Sequence, residues 1–345
     1  MNLSHLPIQV PYLPMEAKSV AQIPKGAEWQ YEPKWDGFRC LAFRDGDTVE
    51  LQSKSGESLT RYFPELVQAL TALRAKRFVL DGEIVLFIDG RLSFDDLLQR
   101  IHPAESRVRK LSVEHPVKLV LFDLLVDDKG KLVATDVFAK RRKDLEHFIS
   151  RYVDSDEILF LSPATRELEN AETWLETMRG QLDGVVAKRL DLPYQSGERA
   201  MLKIKDLRTA DCVVGGFRYG AREKLVGSLL LGLYDEQGLL HHVGFTSSIA
   251  AAERPALTEK LEALIGKPGF TGRSPGGPSR WSTAKSADWQ PLRPELVVEV
   301  RYDHFTGQRF RHGTKLMRWR PDKSPRQCLL SQLEGESASP LGLIA

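Results

Sequence analysis

Cysteine is scarce in this chain: three residues among 345, Cys40, Cys212 and Cys328, widely separated and odd in number. None stands in a CxxC or Cys/His spacing, so neither a disulfide framework nor a zinc site is indicated, and a reducing cytosol is the expected setting. Long apolar runs are missing as well. The longest, Val117 to Val126, is interrupted by Lys118 and Asp123, and the first residues lack a cationic start followed by an apolar core. Neither membrane spanning nor secretion is indicated. The sequence carries no internal repeat and no low-complexity tract. Excess charge of one sign is also absent, with 49 Lys and Arg facing 47 Asp and Glu for a net +2, so whole-chain charge announces no polyanion partner.

What remains is an ordinary globular composition, 42% hydrophobic and 28% charged, on a chain long enough for two domains. The charge is unevenly placed: Gly272 to Ala345 holds 12 Lys and Arg against 7 Asp and Glu, with the basic residues concentrated between Arg301 and Arg326. A local basic stretch suits phosphate contact or a solvated face equally well.

Alternating segments Phe38 to Phe43 and Thr48 to Gln52 flank Asp45-Gly46-Asp47 and predict a hairpin. Pro64 to Lys76 puts Leu66, Leu70 and Leu73 on one helical face, and Phe78 to Ile88 and Lys118 to Val126 read as buried strands. A short helix over Asn170 to Arg179, stopped by Gly180, precedes a strand at Gly184 to Lys188. Beyond Lys205 come short strands at Val213 to Phe217, Ser228 to Tyr234 and Leu240 to Phe245, a helix near Ala250 to Ile265, a Gly/Pro/Ser-rich loop from Lys267 to Ser282, and strands at Leu296 to Tyr302 and Gln308 to Arg311. The class is α+β, an antiparallel first domain followed by an OB-fold β-barrel. The boundary falls near Leu207 to Asp211, giving domains of residues 1–207 and 208–345.

The chemistry centres on Glu32-Pro33-Lys34-Trp35-Asp36-Gly37-Phe38-Arg39. Lysine can form a phosphoramidate with a nucleotide, and an amine attacks only where desolvation or neighbouring cations keep part of it deprotonated. Asp81-Gly82-Glu83 places two carboxylates at a strand turn, fit for a ribose hydroxyl or a metal-bound water or for a solvated turn. Asp183-Gly184 leads a strand ending in Lys188, and Lys203 and Lys205 share one strand face, where they repel unless an anion lies between them or the edge is solvated. Phe122 reads as core or as a base-stacking platform.

Taken in order, KWDGFR, SKSGE, DGEIV, LFDLL, DGVVAKR, MLKIK and LMRWRPDK resemble the motif series of covalent nucleotidyltransferases, specifically ATP-dependent DNA ligases. The resemblance covers nearly the whole chain and is nearest to the small bacterial ligase C type and the ligase domain of bacterial ligase D. It implies an N-terminal nucleotidyltransferase domain that seals 3′-hydroxyl/5′-phosphate nicks in DNA repair, using ATP and magnesium, with manganese as an alternative. By that resemblance Lys34 becomes lysyl-AMP, assisted by Asp36. Glu32 reads the adenine edge, Phe122 stacks on the base, and Arg39 binds ribose or the phosphate chain. Glu83 holds ribose or metal, while Lys188, Lys203 and Lys205 grip the α-phosphate. Arg318, Arg320, Asp322 and Lys323 orient pyrophosphate, and Lys54 touches DNA near the nick. The fourth motif departs from the pattern: Asp183 replaces the usual glutamate, one methylene shorter, as a metal ligand.

With 33 residues ahead of Lys34, the resemblance implies no separate front DNA-binding domain and a monomer that closes on nicked duplex itself. Repair polymerases or end-binding proteins are candidate partners, and the bacterial cytosol, at the nucleoid, is the expected location. An RNA-capping-type guanylyltransferase and an RNA ligase share the lysine motif, and a non-catalytic nucleic-acid-binding module is the alternative of another class.

Overall fold

The computed structural model describes residues 3–344 apart from 154–157, 179, 221–223, 277–287 and 334–338. The chain divides into two compact units, one running to Asp206 and including the closing tail, the other spanning Leu207–Glu336. The tail is a departure from the expected second domain. Its residues Leu341, Leu343 and Ile344 pack beside Trp35, Val85, Val120, Met178 and Leu182 of the first unit, and the Ser339 hydroxyl donates to the Gly90 carbonyl.

Two main sheets and a short two-stranded one, Phe87–Ile88 with Arg91–Leu92, build the first unit. In the larger, five-stranded one, Phe38–Asp45 lies between Thr48–Ser53 and Arg77–Val85, followed by Lys118–Val126 and the parallel Leu159–Leu161. The second has four strands: Ala17–Ser19, Met201–Ile204, Val185–Arg189 and Trp29–Pro33. The expected hairpin forms, with Asp45 pairing Thr48 across Gly46, whose φ of 62° suits glycine. Leu66 and Leu70 of the Pro64–Ala72 helix are fully buried, each contributing about 1.5–3 kcal/mol by leaving water. That helix stops short of the expected Lys76. The buried Arg44 guanidinium donates to the carbonyls of Leu70, Thr71 and Leu73, supplying partners for the free carbonyls of its last turn.

Several elements escape sequence patterning, three of them notable. Glu105–Glu114 and Phe138–Tyr152 are helices, and Lys315–Trp319 is a strand. The Phe138–Tyr152 helix buries Arg141 and Arg142 beside Leu145 and Phe148, so charge falls on its inward face and the apolar period is broken. Arg141 is held by Asp123 through Nε at 2.8 Å and Nη2 at 2.9 Å, which pins this helix to the Lys118–Val126 strand.

In the second unit a curled antiparallel sheet runs Leu240–Thr246, Val226–Tyr234, Arg208–Tyr219, Val297–Tyr302, Lys315–Trp319. Its two ends meet where Thr246 bridges Thr314, each hydroxyl donating to a carbonyl of the other segment. With the Arg254–Glu262 helix packed against it, this is the OB-type barrel. The expected loop from Lys267 to Ser282 has its 277–282 portion outside the described residues.

Candidate active site

Lys34 directly follows the Trp29–Pro33 strand, and its backbone is tied both ways to the Asp183-Gly184 turn: Lys34 N–H donates to Gly184 O and Asp183 N–H donates to Lys34 O, both at 2.9 Å. The glycines of the two motifs are demanded by this crowding. A Cβ on Gly37 would lie 2.0 Å from the Ile84 carbonyl oxygen, and one on Gly184, at φ 127°, would lie 1.9 Å from that of Ile204. Trp35 turns inward and donates from Nε1 to Ser162 Oγ at 3.0 Å.

The Lys34 ammonium contacts Asp183, and Lys205 Nζ stands 3.7 Å from the same carboxylate. Lys203 is lowered from the ordinary lysine range, first by desolvation and then by the charges of Lys34, Lys205 and Lys54. Lys34 and Lys205 thus share the Asp183 carboxylate within a cluster of mutually repelling lysines, an arrangement that a phosphate chain relieves. Glu83, half-buried, has its carboxyl pushed up to about 7 by desolvation, with Lys34 and Arg39 pulling the other way and Asp36 and Asp81 adding to the rise. Asp36 is half-buried near these groups.

A second cluster lies along the strand from Lys34. Lys188 is 3% exposed. It donates to Glu32 Oε2 at 2.7 Å and to the Phe122 carbonyl at 3.2 Å, while Gln30 Nε2 donates to Glu32 Oε1 at 3.1 Å. Its ammonium is 4.5 Å from the Phe122 ring centroid, and the Arg39 guanidinium is 4.6 Å from the same ring. The structure thus groups Lys188 with Glu32 and Phe122, whereas Lys203 and Lys205 go with Lys34. Arg39 is itself anchored, Nε to Asp81 Oδ1 at 2.5 Å and Nη2 to Asp81 Oδ2 at 2.6 Å, with Tyr194 Oη donating to the same carboxylate at 2.7 Å.

The Asp81 carboxylate is plain in the sequence, but its hold on Arg39, 42 residues away, has no local signature. Tyr194, which also accepts the Met15 N–H at 2.8 Å, carried no local signal; its partners lie far away in sequence. Arg142 Nη1, 3.7 Å from Glu32, is equally non-local.

Lys54 is 61% exposed and 3.0 Å from Glu16. Arg318, Arg320, Asp322 and Lys323 all belong to the second unit: Arg318 Nε donates to Glu299 at 2.5 Å, Arg320 to Asp211 and Asp322, and Lys323 to Asp211. Among the described residues no group of three or more His, Cys, Asp or Glu could hold a metal by itself, and no helix is long and apolar enough to cross a membrane.

Residues 12–205 match the family model of the ATP dependent DNA ligase domain, and residues 222–323 that of the ATP dependent DNA ligase C terminal region. The chain belongs to the ATP-dependent DNA ligase family. It is 44% identical over 343 residues to DNA ligase C of Mycobacterium tuberculosis, covering 95% of each chain. To DNA ligase C2 of Mycolicibacterium smegmatis it is 45% identical over 346 residues, covering 95% of this chain and 96% of the relative. The fold also matches a solved structure from a structure-function study of Lig E DNA ligases, with a TM-score of 0.55 at 16% identity, covering 90% of this chain and all of the other. The protein is accordingly a DNA ligase that uses ATP and seals nicks.

Proposed function

We propose that Lys34 is the residue that carries AMP, and that the ligase works through lysyl-AMP and then adenylated DNA. The observation supporting this most directly is the placement of Lys34, held by Asp183, within a cluster of further lysines whose charges act on one another. In the first step the Lys34 Nζ lone pair attacks the α-phosphorus of ATP. A P–N bond forms, the bond to the β-phosphate oxygen breaks, pyrophosphate leaves, and the amine gives up a proton. An oxygen of the DNA 5′-phosphate then attacks the AMP phosphorus, the P–N bond breaks, and the lysine leaves with its proton restored. Last, the 3′-hydroxyl attacks the activated phosphate and AMP departs. Each step moves charge onto phosphate oxygens, so fixed cations and positioning supply most of the acceleration.

Asp183 and the backbone ties to Gly184 hold Lys34 in place, and Asp36 assists in orienting the amine. Lys203 and Lys205 face the α-phosphate. Glu32 and Lys188, bonded to each other, form the polar wall for the adenine edge, where Phe122 offers its ring. Arg39, fixed by Asp81, presents to the ribose or phosphates. Arg318, Arg320, Asp322 and Lys323 orient the departing pyrophosphate, and Lys54 contacts DNA.

Magnesium keeps several waters and takes one or two carboxylates plus substrate phosphates, and the desolvated Glu83 with Asp183 fits that pattern. Those two residues would hold it, and bound magnesium supplies charge neutralisation on the phosphates; manganese suits the same oxygen donors. The enzyme acts on nicked duplex DNA as a monomer, in the bacterial cytosol at the nucleoid, in DNA repair with a repair polymerase or end-binding protein.

Intact-protein mass after incubation with magnesium and ATP, GTP or NAD in separate tubes, with peptide mapping, tests the reading. An AMP adduct on Lys34 from ATP alone is expected. A GMP adduct moves the reading to capping chemistry, and no adduct after pyrophosphate pre-treatment overturns it.

A further inference from the structure

Asp211 stands on the Arg208–Tyr219 strand, a few residues into the second unit, and 13% of its side chain is exposed. Arg320 Nη1 donates to both of its oxygens, at 2.9 and 3.1 Å, and Lys323 Nζ donates to Oδ2 at 2.7 Å. The opposite edge of the Arg320 guanidinium is held by Asp322, with Nε at 3.0 and 3.2 Å and Nη2 at 2.8 Å. A planar fork gripped on two edges has almost no rotation left. Without the shared carboxylate, Arg320 and Lys323 would be like charges set side by side.

The Asp211 backbone is itself fixed. Asp211 N–H donates to Gln332 Oε1 at 2.9 Å, and Gln332 Nε2 returns a bond to Asp211 O at 3.1 Å. Across the sheet Asp211 pairs with Glu299, and Glu299 pairs with Arg318, whose Nε it accepts. The closing basic motif is therefore pre-formed on two neighbouring acidic strand positions.

We propose that Asp211 is a positioning residue for lysyl-AMP formation, holding Arg320 and Lys323 in the spacing that meets the departing pyrophosphate. The inference rests on the pyrophosphate role given above to that motif. Head groups already placed lose less freedom when phosphate binds, and small misplacements cost large factors in rate. Asp211 touches neither the DNA phosphate nor the 3′-hydroxyl in this account, so its effect belongs to the first step alone.

The test is Asp211→Asn in the full chain, measured for single-turnover lysyl-AMP formation and, on the same preparation, for sealing of a nick that already carries AMP on its 5′-phosphate. Lysyl-AMP formation is expected to slow by roughly 10- to 100-fold, with sealing of the pre-adenylated nick held within about twofold; that sealing also reports correct folding. Asp211→Glu is expected to recover part of the loss, and Asp211→Asn added to Lys323→Ala to slow the first step by less than the product of the two single losses, since only Arg320 is then left to be released. Equal losses in both assays, an unchanged first step, or additive effects of the two substitutions overturn the assignment. Failure of the unsubstituted chain to form lysyl-AMP removes the reading beneath it.

Discussion

The two units handle their cations in opposite ways. Around Lys34 the lysines crowd one another: Asp183 serves both Lys34 and Lys205, and Lys203 is lowered by desolvation and by the charges of its neighbours. In the second unit each basic head of the closing motif has an acid of its own or a shared one beside it, Glu299 for Arg318, Asp211 and Asp322 for Arg320, and Asp211 for Lys323. Crowded cations are poised to take an anion; neutralised ones are held in shape until an anion arrives. On the roles proposed above, nucleotide binding relieves repulsion in one unit and meets cations already held in place in the other.

The largest break in that comparison is loss of the nucleophile. Lys34→Ala and Lys34→Arg are each expected to lower AMP incorporation by at least about 10⁴-fold, since a guanidinium stays protonated and cannot attack. Labelled-AMP transfer measures this, and incorporation by the arginine variant would sink the assignment of Lys34.

Next comes the anchor of Arg39. Asp81→Asn leaves a buried guanidinium short of its carboxylate and Tyr194 without its acceptor, and breaking such a pair costs about 3–5 kcal/mol. Thermal and denaturant unfolding are expected to show it, whereas Asp322→Asn, at the exposed side of the second cluster, should change stability by no more than about 0–1 kcal/mol.

A smaller effect follows from Glu83. Its folded carboxyl is raised to about 7, so it takes up a proton as pH falls below that value. Lysyl-AMP formation measured as kcat/KM is expected to drop toward tenfold per pH unit on the acid side, and Glu83→Gln to flatten that limb. The stability sign is opposite: the group's contribution is fully present below the unfolded carboxyl pKa and is lost as pH rises through about 7. An unchanged acid limb in Glu83→Gln would assign the titration elsewhere. Least affected is Lys54→Ala, exposed and paired with Glu16; it should leave lysyl-AMP formation intact and reduce the salt slope of nick binding by about 1.

Much of the site was legible as a set of residue types. Lys34, Asp36, Arg39, Glu83, Asp183 and the paired lysines stand in short motifs that spacing alone left open, and the resemblance of the ordered series to the ligases marked them as candidates. The Lys118–Val126 strand was equally plain, being a mostly apolar run that is buried on both faces beyond Lys118. The Phe138–Tyr152 helix was not, because its inward arginines find their carboxylate and carbonyls on other elements. Nor was the tail, whose Leu341, Leu343 and Ile344 are too few to show a period and gain meaning only against Trp35 and its neighbours.

By itself, then, the sequence determined the family chemistry, the class of the two units and the order of motifs, and it named the candidate lysine and acids. Tertiary structure decided which charges share a partner. It put Lys188 with Glu32 and Phe122 rather than beside Lys34, fixed Arg39 through Asp81 and Tyr194, and gave Arg320 and Lys323 to Asp211. Pairing of charges depends on distances across strands far apart in the chain, and no local spacing encodes those distances.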